Sequence, residues 1–239
     1  SKAIKNFADN FEYIDHEPLA AASVGQVHRA TLKSGDEVII KFVKQANSKV
    51  FSKEVKRMRN WLKIIILFSP RLRKVGNPLA LINHVADYTL RELDLLNEIK
   101  GAEELMKIQK DISKDFPTPL LKFPKYYPEL SNENVLVSEF IDGDSLEDGI
   151  DNKSLSWDTL LDLFRIHGAY LFGVGTFHGD LHPGNCIIDK RGNFVFIDNA
   201  AVCHAPKKVS RSLFVFFEKL SQQKLDEAFI ALLDMTNQY

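Results

Sequence analysis

His178-Gly179-Asp180-Leu181-His182-Pro183-Gly184-Asn185, followed further on by Ile197-Asp198, is the stretch on which the reading of this chain turns. Phosphoryl transfer requires this combination of side chains: an Asp to orient or deprotonate the acceptor, and an Asn with a second Asp to hold the cation that bridges the phosphates. The spacing supplies a geometry as well. Cys186 to Asp189 and Phe194 to Ile197 read as short strands around Lys190-Arg191-Gly192-Asn193, so a hairpin returns Asp198 to the edge that carries Asn185. Taken only as turn formers, these Gly, Pro, Asn and Asp residues would need no chemistry. His178, Asp180 and His182 also have a spacing seen in zinc sites. They sit on a loop with Pro183 next in the chain, however, where a histidine that anchors the loop by a hydrogen bond is the commoner outcome.

Toward the N-terminus, residues 24–32 and 37–43 alternate as a hairpin around Lys33-Ser34-Gly35-Asp36. Alternation puts Val38, Ile40 and Phe42 on one face and Ile39, Lys41 and Val43 on the other, so Lys41 is a strand lysine among apolar neighbours, suited to phosphate. Such a lysine needs a carboxylate to fix its rotamer. A single long helix from Leu79 to Asp111 offers Glu92, Asp94 and Glu98, and Glu98 is the choice to meet Lys41. Asp94 and Glu98, four apart, would then share a face and repel. Lysine strand, acidic helix, connector, loop aspartate and metal aspartate arrive in the order of a kinase core.

The remaining organisation is consistent with that order. Helix breaks fall at Ser69-Pro70 and at Gly76-Asn77-Pro78, a proline-rich connector runs from Phe116 to Pro128, and a strand spans Val135 to Phe140. Asp142-Gly143-Asp144 marks a turn, placing a boundary between an N-lobe of residues 1–141 and a C-lobe of residues 142–239. Helices are expected from Trp157 to Val174, Lys207 to Ser221 and Lys224 to Asn237.

Composition excludes several classes. With 31 Lys and Arg against 32 Asp and Glu, the net charge of −1 gives no general pull toward nucleic acid or anionic lipid. Cys186 and Cys203 cannot form a disulfide framework and fit a reducing compartment. The longest apolar run, Ile64 to Phe68, is far too short to span a bilayer, and Trp61 to Phe68 reads as a buried core helix in preference to a membrane-facing one. The chain opens on Ser1, which suggests that an upstream segment is missing.

Pro18-Leu19-Ala20-Ala21-Ala22-Ser23-Val24-Gly25-Gln26-Val27-His28-Arg29-Ala30 resembles the alanine-rich loop that stands in place of a glycine-rich loop in the UbiB (aarF-domain, ADCK-type) atypical kinase-like family. Leu90-Arg91-Glu92-Leu93-Asp94 followed by Glu98 is similar to its Glu-x-Asp motif and helix glutamate, and Val137-Ser138-Glu139-Phe140-Ile141-Asp142-Gly143 to its hinge. The catalytic-loop string is also shared by aminoglycoside-type phosphotransferases. The resemblance implies an α+β, two-lobed protein-kinase-like fold, with a small N-lobe sheet plus long helix and a shortened helical C-lobe. It implies ATP or ADP with Mg2+ as cofactors, and a kinase-like ATPase or phosphotransferase supporting ubiquinone (coenzyme Q) or related lipid metabolism. A cytoplasmic location peripheral to a membrane and a lipid or quinone-pathway partner follow from the same source.

Carried over by position, Asp180, Lys41 and Glu98 are the catalytic set and Asn185 with Asp198 the metal ligands. Ala20, Ala21, Ala22, Ser23, Ile39, Lys41, Glu139 and Ile141 line the nucleotide, Glu139 through its backbone. The Cβ atoms of Ala20 to Ala22 restrict the close amide approach that glycines allow, so weaker or differently posed phosphate contact is expected.

Three departures stand out. No Lys-x-Gly-Gln string precedes the alanine loop, and Lys74-Val75-Gly76-Asn77 lies on its wrong side. Asp198-Asn199-Ala200 replaces Asp-Phe-Gly, which predicts a segment without an in-and-out flip. No Ala-Pro-Glu signal follows. Two other functional classes stay open: a catalytically silent nucleotide-binding regulatory module, and a small-molecule phosphotransferase of the aminoglycoside type.

Overall fold

The computed structural model describes residues 7–21, 25–43, 46–68 and 77–236. Two compact units result, Ser1–Lys100 with Pro124–Phe140, and Gly101–Phe123 with Ile141–Tyr239.

The strands in chain order are β1 (Phe11–Ile14), β2 (Ala20–Ala21), β3 (Gly25–Leu32), β4 (Glu37–Val43), β5 (Leu121–Lys122), β6 (Val135–Glu139), β7 (Gly143–Ser145), β8 (Thr176–His178), β9 (Cys186–Asp189), β10 (Phe194–Phe196) and β11 (Val202–His204). In the first unit β1, β3, β4 and β6 lie side by side in that order, all antiparallel, and β2 adds to β3. The expected hairpin is β3–β4. Gly35 closes it at φ 88°, where a side chain would strain the backbone. Alternation is obeyed: Val38 and Ile40 are buried with Phe11, Ala30, Leu32, Tyr127, Leu130 and Val137, while Lys41 lies on the opposite face. Fully burying side chains of this size contributes about 1.5–3 kcal/mol each, which pins the register. A one-residue slip would turn Lys41 into that core. Gly25 closes the far end of the same ladder: a Cβ there would lie 2.4 Å from the Phe42 carbonyl oxygen.

Two helices, Ala46–Phe68 and Pro78–Glu92, pack on each other. Asn77 caps the second by accepting from the Ala80 amide at 3.1 Å. Trp61 to Phe68 does not enter a core within this unit: Trp61 is 67% and Phe68 81% exposed, contrary to the burial expected from its apolar run. The expected helix from Leu79 to Asp111 is also two helices, because the chain breaks at Leu93-Asp94-Leu95 before Leu96–Ile112 begins. Leu93 and Leu95 turn inward, and the Asp94 carboxylate accepts from the Leu96 amide at 3.1 Å, capping the new helix. Asp94 is therefore not on a helical face with Glu98, and the repulsion expected between them does not arise by that route. The sequence Lys74-Val75-Gly76 lies outside the described residues.

The second unit holds a sheet in the order β5-β10-β9-β7, with β5 parallel to β10, and a separate pair β8–β11. Its core gathers Leu105, Leu121, Leu146, Ile166, Tyr170, Cys186, Phe194 and Phe196. Burial pushes the Cys186 thiol up to about 12, so this cysteine packs as an inert apolar group. The helix Trp157–Gly168 continues as a π-helical stretch Ala169–Val174, and Lys207–Ser221 and Leu225–Thr236 form a closing helix pair.

Candidate functional site

In the first unit the Lys41 Nζ lies 2.9 Å from the Glu98 Oε2. The pairing joins the middle of β4 to the first turn of the helix Leu96–Ile112, and the Asp94 cap fixes where that turn starts. Glu98 is one of the most buried side chains in the molecule, 2% exposed, against 26% for Lys41. Carboxylates are almost never buried to that degree without a cationic or hydrogen-bonded partner.

Ile39 shares the Lys41 face, half-buried and opposite Ser138 on β6. Glu139 ends β6. Its amide donates to the Lys125 carbonyl at 2.8 Å and its carboxylate accepts from the Lys125 amide at 3.0 Å. Ala20 and Ala21 are exposed and pair with Val27 and Gln26. Ala22 and Ser23 lie outside the described residues, and Ile141, half-buried, opens the second unit.

The second unit brings Asp180, Asn185 and Asp198 together through backbone and histidine bonds. The β9–β10 hairpin closes at its base with the Ile197 amide donating to the Asn185 carbonyl at 3.0 Å, so residues distant in sequence meet as expected. Gly192 at φ 81° makes the turn, and the Asp189 carboxylate accepts from the Arg191 and Asn193 amides, both at 2.8 Å. Asn185 Nδ2 donates to the Asp180 carbonyl at 3.1 Å, which leaves its Oδ1 as the atom offered outward.

His178 anchors the loop. Its Nδ1 accepts from the Asp180 amide at 3.2 Å and its Nε2 donates to the Asp198 carbonyl, a pair of roles that only the neutral Nε2-protonated ring can fill. His182 likewise accepts from the Gly184 amide at 3.1 Å, capping the turn Pro183–Asn185. Both histidines thus serve loop geometry. Among the described residues no cluster of three or more His, Cys, Asp or Glu side chains is placed to hold a metal. The side chains expected to hold a cation, the Asn185 carboxamide and the Asp198 carboxylate, are hard oxygen donors of the kind Mg2+ takes.

Burial holds His178 below its ordinary value of 6.5, opposed by its bond to the Asp198 backbone and the charges of Asp198 and Asp180. Burial, with the charge of His178 second, lowers His167 too. The unfolded chain therefore takes up protons first as pH falls. The stabilisation is complete above about 6.5 and is lost as pH drops through the lower folded values. Urea unfolding between pH 7.5 and 5 should show stability falling below 6.5, with a shallower fall in His178→Gln. An identical pH slope in that variant would contradict the assignment.

The sequence marks Asn199 only as the residue standing where a phenylalanine is expected, and it gives Gly101 no role. Asn199 is fully buried, its Nδ2 donating to the Phe196 carbonyl at 2.8 Å. Its backbone lies against Gly101: a Cβ on Gly101 would stand 1.8 Å from the Asn199 carbonyl oxygen. The segment after Asp198 thus rests on the bare backbone of the helix Leu96–Ile112. The only signal in the sequence was a glycine inside a helical pattern, which usually has a packing reason.

Residues 1–229 match the ABC1 atypical kinase-like domain. A protein of Azotobacter vinelandii named "Probable protein kinase UbiB" is 30% identical over 251 residues, covering 96% of this chain and 44% of the relative. Its namesake in Sodalis glossinidius is 27% identical, covering 91% and 40%. The chain therefore spans less than half the length of these curated relatives. Among solved structures, the Mycobacterium tuberculosis protein Rv3197, determined in complex with erythromycin, superposes with a TM-score of 0.68 over 95% of this chain and 56% of its own, at 21% identity. The α+β arrangement of an antiparallel N-terminal sheet with helices is thus a kinase-like fold, and the chain belongs to the ABC1 atypical kinase-like family, to which the UbiB proteins are its relatives.

Proposed function

We propose that this chain binds Mg2+ with ATP or ADP and acts as a kinase-like ATPase or phosphotransferase. The observation that carries the reading is the Lys41–Glu98 pair at 2.9 Å with its carboxylate buried, since a lysine held on a strand by a helical glutamate is the device kinases use for phosphate. In the second unit His178 ties Asp180 to Asp198 and Asn185 stands beside them, the disposition a loop aspartate and two metal ligands would need. In this reading Lys41 contacts phosphate, Asn185 and Asp198 hold the cation, and Asp180 orients or deprotonates the acceptor. The cation, when bound, supplies charge neutralisation at the phosphates.

In this reading the Glu139 backbone meets the base, with Ile39 and Ile141 as further nucleotide contacts and the alanine-rich loop at the phosphates. The curated relatives are named as UbiB kinases, which supports a role in ubiquinone or related lipid metabolism. No helix among the described residues is long and apolar enough to cross a membrane. Contact with a membrane surface or a lipid-pathway partner would instead involve the exposed Trp61 to Phe68.

Phosphate release from Mg-ATP tests the reading. Asp180→Asn should lower kcat by about a hundredfold or more, the scale of a lost acid-base group, while leaving ATP affinity within about twofold. Asp180 is exposed, so the variant should fold. A chain that binds Mg-ATP but releases no phosphate would instead be a catalytically silent module, and the enzymatic half of the proposal would fall.

A further inference from the structure

We infer that the second unit carries a separate binding site for a small apolar molecule bearing one protonated amine. The site is a cavity of about 480 Å3 whose walls come from the loop after the helix Leu96–Ile112, from the helix Trp157–Gly168 with its π-helical continuation, and from the helix Lys207–Ser221. That volume falls within the range of small-molecule pockets. None of the residues assigned above to nucleotide or metal lines it.

Three phenylalanines shape the cavity. Phe172 meets Phe214 edge to face at 5.4 Å between ring centroids, and Phe116 stands across the Gly173 backbone, where a Cβ would come within 3.3 Å of its ring. The floor is apolar, with Ile166 buried. The wall between Ala169 and Val174 is π-helical, with the Gly175 amide reaching back five residues to the Tyr170 carbonyl at 2.9 Å. Such widened turns concentrate at functional positions. Tyr170 pins this stretch from behind, its hydroxyl donating to the Leu105 carbonyl at 2.8 Å.

Charge selects the ligand. Three ionised side chains line the cavity: Asp115, Asp162 and Arg165. Arg165 lies 2.7 Å from Asp162, so that pair cancels, and among the described residues no cation lies within ion-pair distance of Asp115. The cavity therefore carries one net negative charge beside exposed aromatic rings, Phe116 being 48% and Phe214 52% exposed. A carboxylate with ring faces nearby favours an ammonium over a neutral or anionic group.

Titration of the whole chain with imipramine, a tricyclic tertiary amine, followed by amide NMR, tests this against two probes of similar bulk: its neutral parent iminodibenzyl and the anion anilinonaphthalene sulfonate. Imipramine should bind saturably, shifting amides around Asp115, Ala169 and Phe214, and at least about tenfold more tightly than either comparison probe. Asp115→Asn should remove that advantage and leave iminodibenzyl unaffected, and Phe214→Ala should weaken both. Both residues are exposed, so the variants keep the fold, which their unperturbed spectra would verify. No saturable binding, shifts centred elsewhere, tighter binding of the anion, or an advantage that survives Asp115→Asn would each overturn the site.

Discussion

Lys41→Met should destabilise the first unit by about 3 kcal/mol or more, the cost of removing one partner from a buried ion pair, and should abolish tight nucleotide binding. The size of the effect comes from the asymmetry of the pair. Glu98 is 2% exposed and has no recourse to water, whereas Lys41, at 26%, can still reach it. Removing the carboxylate charge is therefore milder: Glu98→Gln should cost only about 1 kcal/mol, on the scale of one hydrogen bond. The double variant Lys41→Met, Glu98→Leu should be more stable than Lys41→Met alone, because an apolar pair leaves no buried charge behind. Denaturant unfolding of the three variants checks the ordering. Equal losses for Lys41→Met and Glu98→Gln would show that the buried carboxylate does not depend on this lysine.

The second large effect is at Gly101. An alanine in a helix interior ordinarily stabilises by about 1 kcal/mol relative to glycine, so propensity alone makes Gly101→Ala a gain. Here the added methyl would stand 1.8 Å from the Asn199 carbonyl oxygen and 3.1 Å from the Val202 side chain. The nearer obstacle is backbone and cannot rotate away. A backbone approach this close belongs at or above the top of the overpacking range of about 1–3 kcal/mol, so after the propensity gain of about 1 kcal/mol the net result should be a loss of about 2 kcal/mol or more. Thermal unfolding reads it directly. Because Asn199 follows Asp198, the same variant should weaken Mg2+-dependent nucleotide binding, while the exposed Lys107→Ala on the same helix should change neither quantity. A Gly101→Ala protein as stable as its parent would mean that the helix and the Asn199 segment are not in contact.

The buried Asn199 also bears on the missing aromatic plug. With its side chain fully enclosed, bonded to Phe196, and its carbonyl against Gly101, the segment is fixed by packing that an outward flip would have to break. A segment without the flip is expected from the lost phenylalanine and glycine alone, and the Gly101 contact, which the sequence does not display, adds a packing cost to any such movement.

How much was legible follows from which signals are local. The β3–β4 hairpin, the face of Lys41 and the β9–β10 return could be read because alternation and turn glycines operate over a few residues. The choice of Glu98 as the partner of Lys41 meets the observed contact, although no local signal separated it from Glu92 and Asp94. The break at Leu93-Asp94-Leu95 did not show, since Leu90, Leu93 and Leu96 keep helical spacing and neither glycine nor proline interrupts them. Only the capping propensity of Asp94 hinted at it. Strands of two or three residues such as β5 and β7 exist because of partners far along the chain, and no window around Leu121-Lys122 contains β10. Burial of Trp61 to Phe68 was inferred from composition, which records apolarity but not what covers it.

Calorimetry of ADP with and without Mg2+, on this chain and on Asp198→Asn, addresses the nucleotide reading most directly. Mg2+ should tighten ADP binding more than tenfold in the parent chain, and Asp198→Asn should erase that gain while leaving metal-free affinity unchanged. Equal tightening by Mg2+ in both proteins, or no heat of ADP binding in either, would contradict the account.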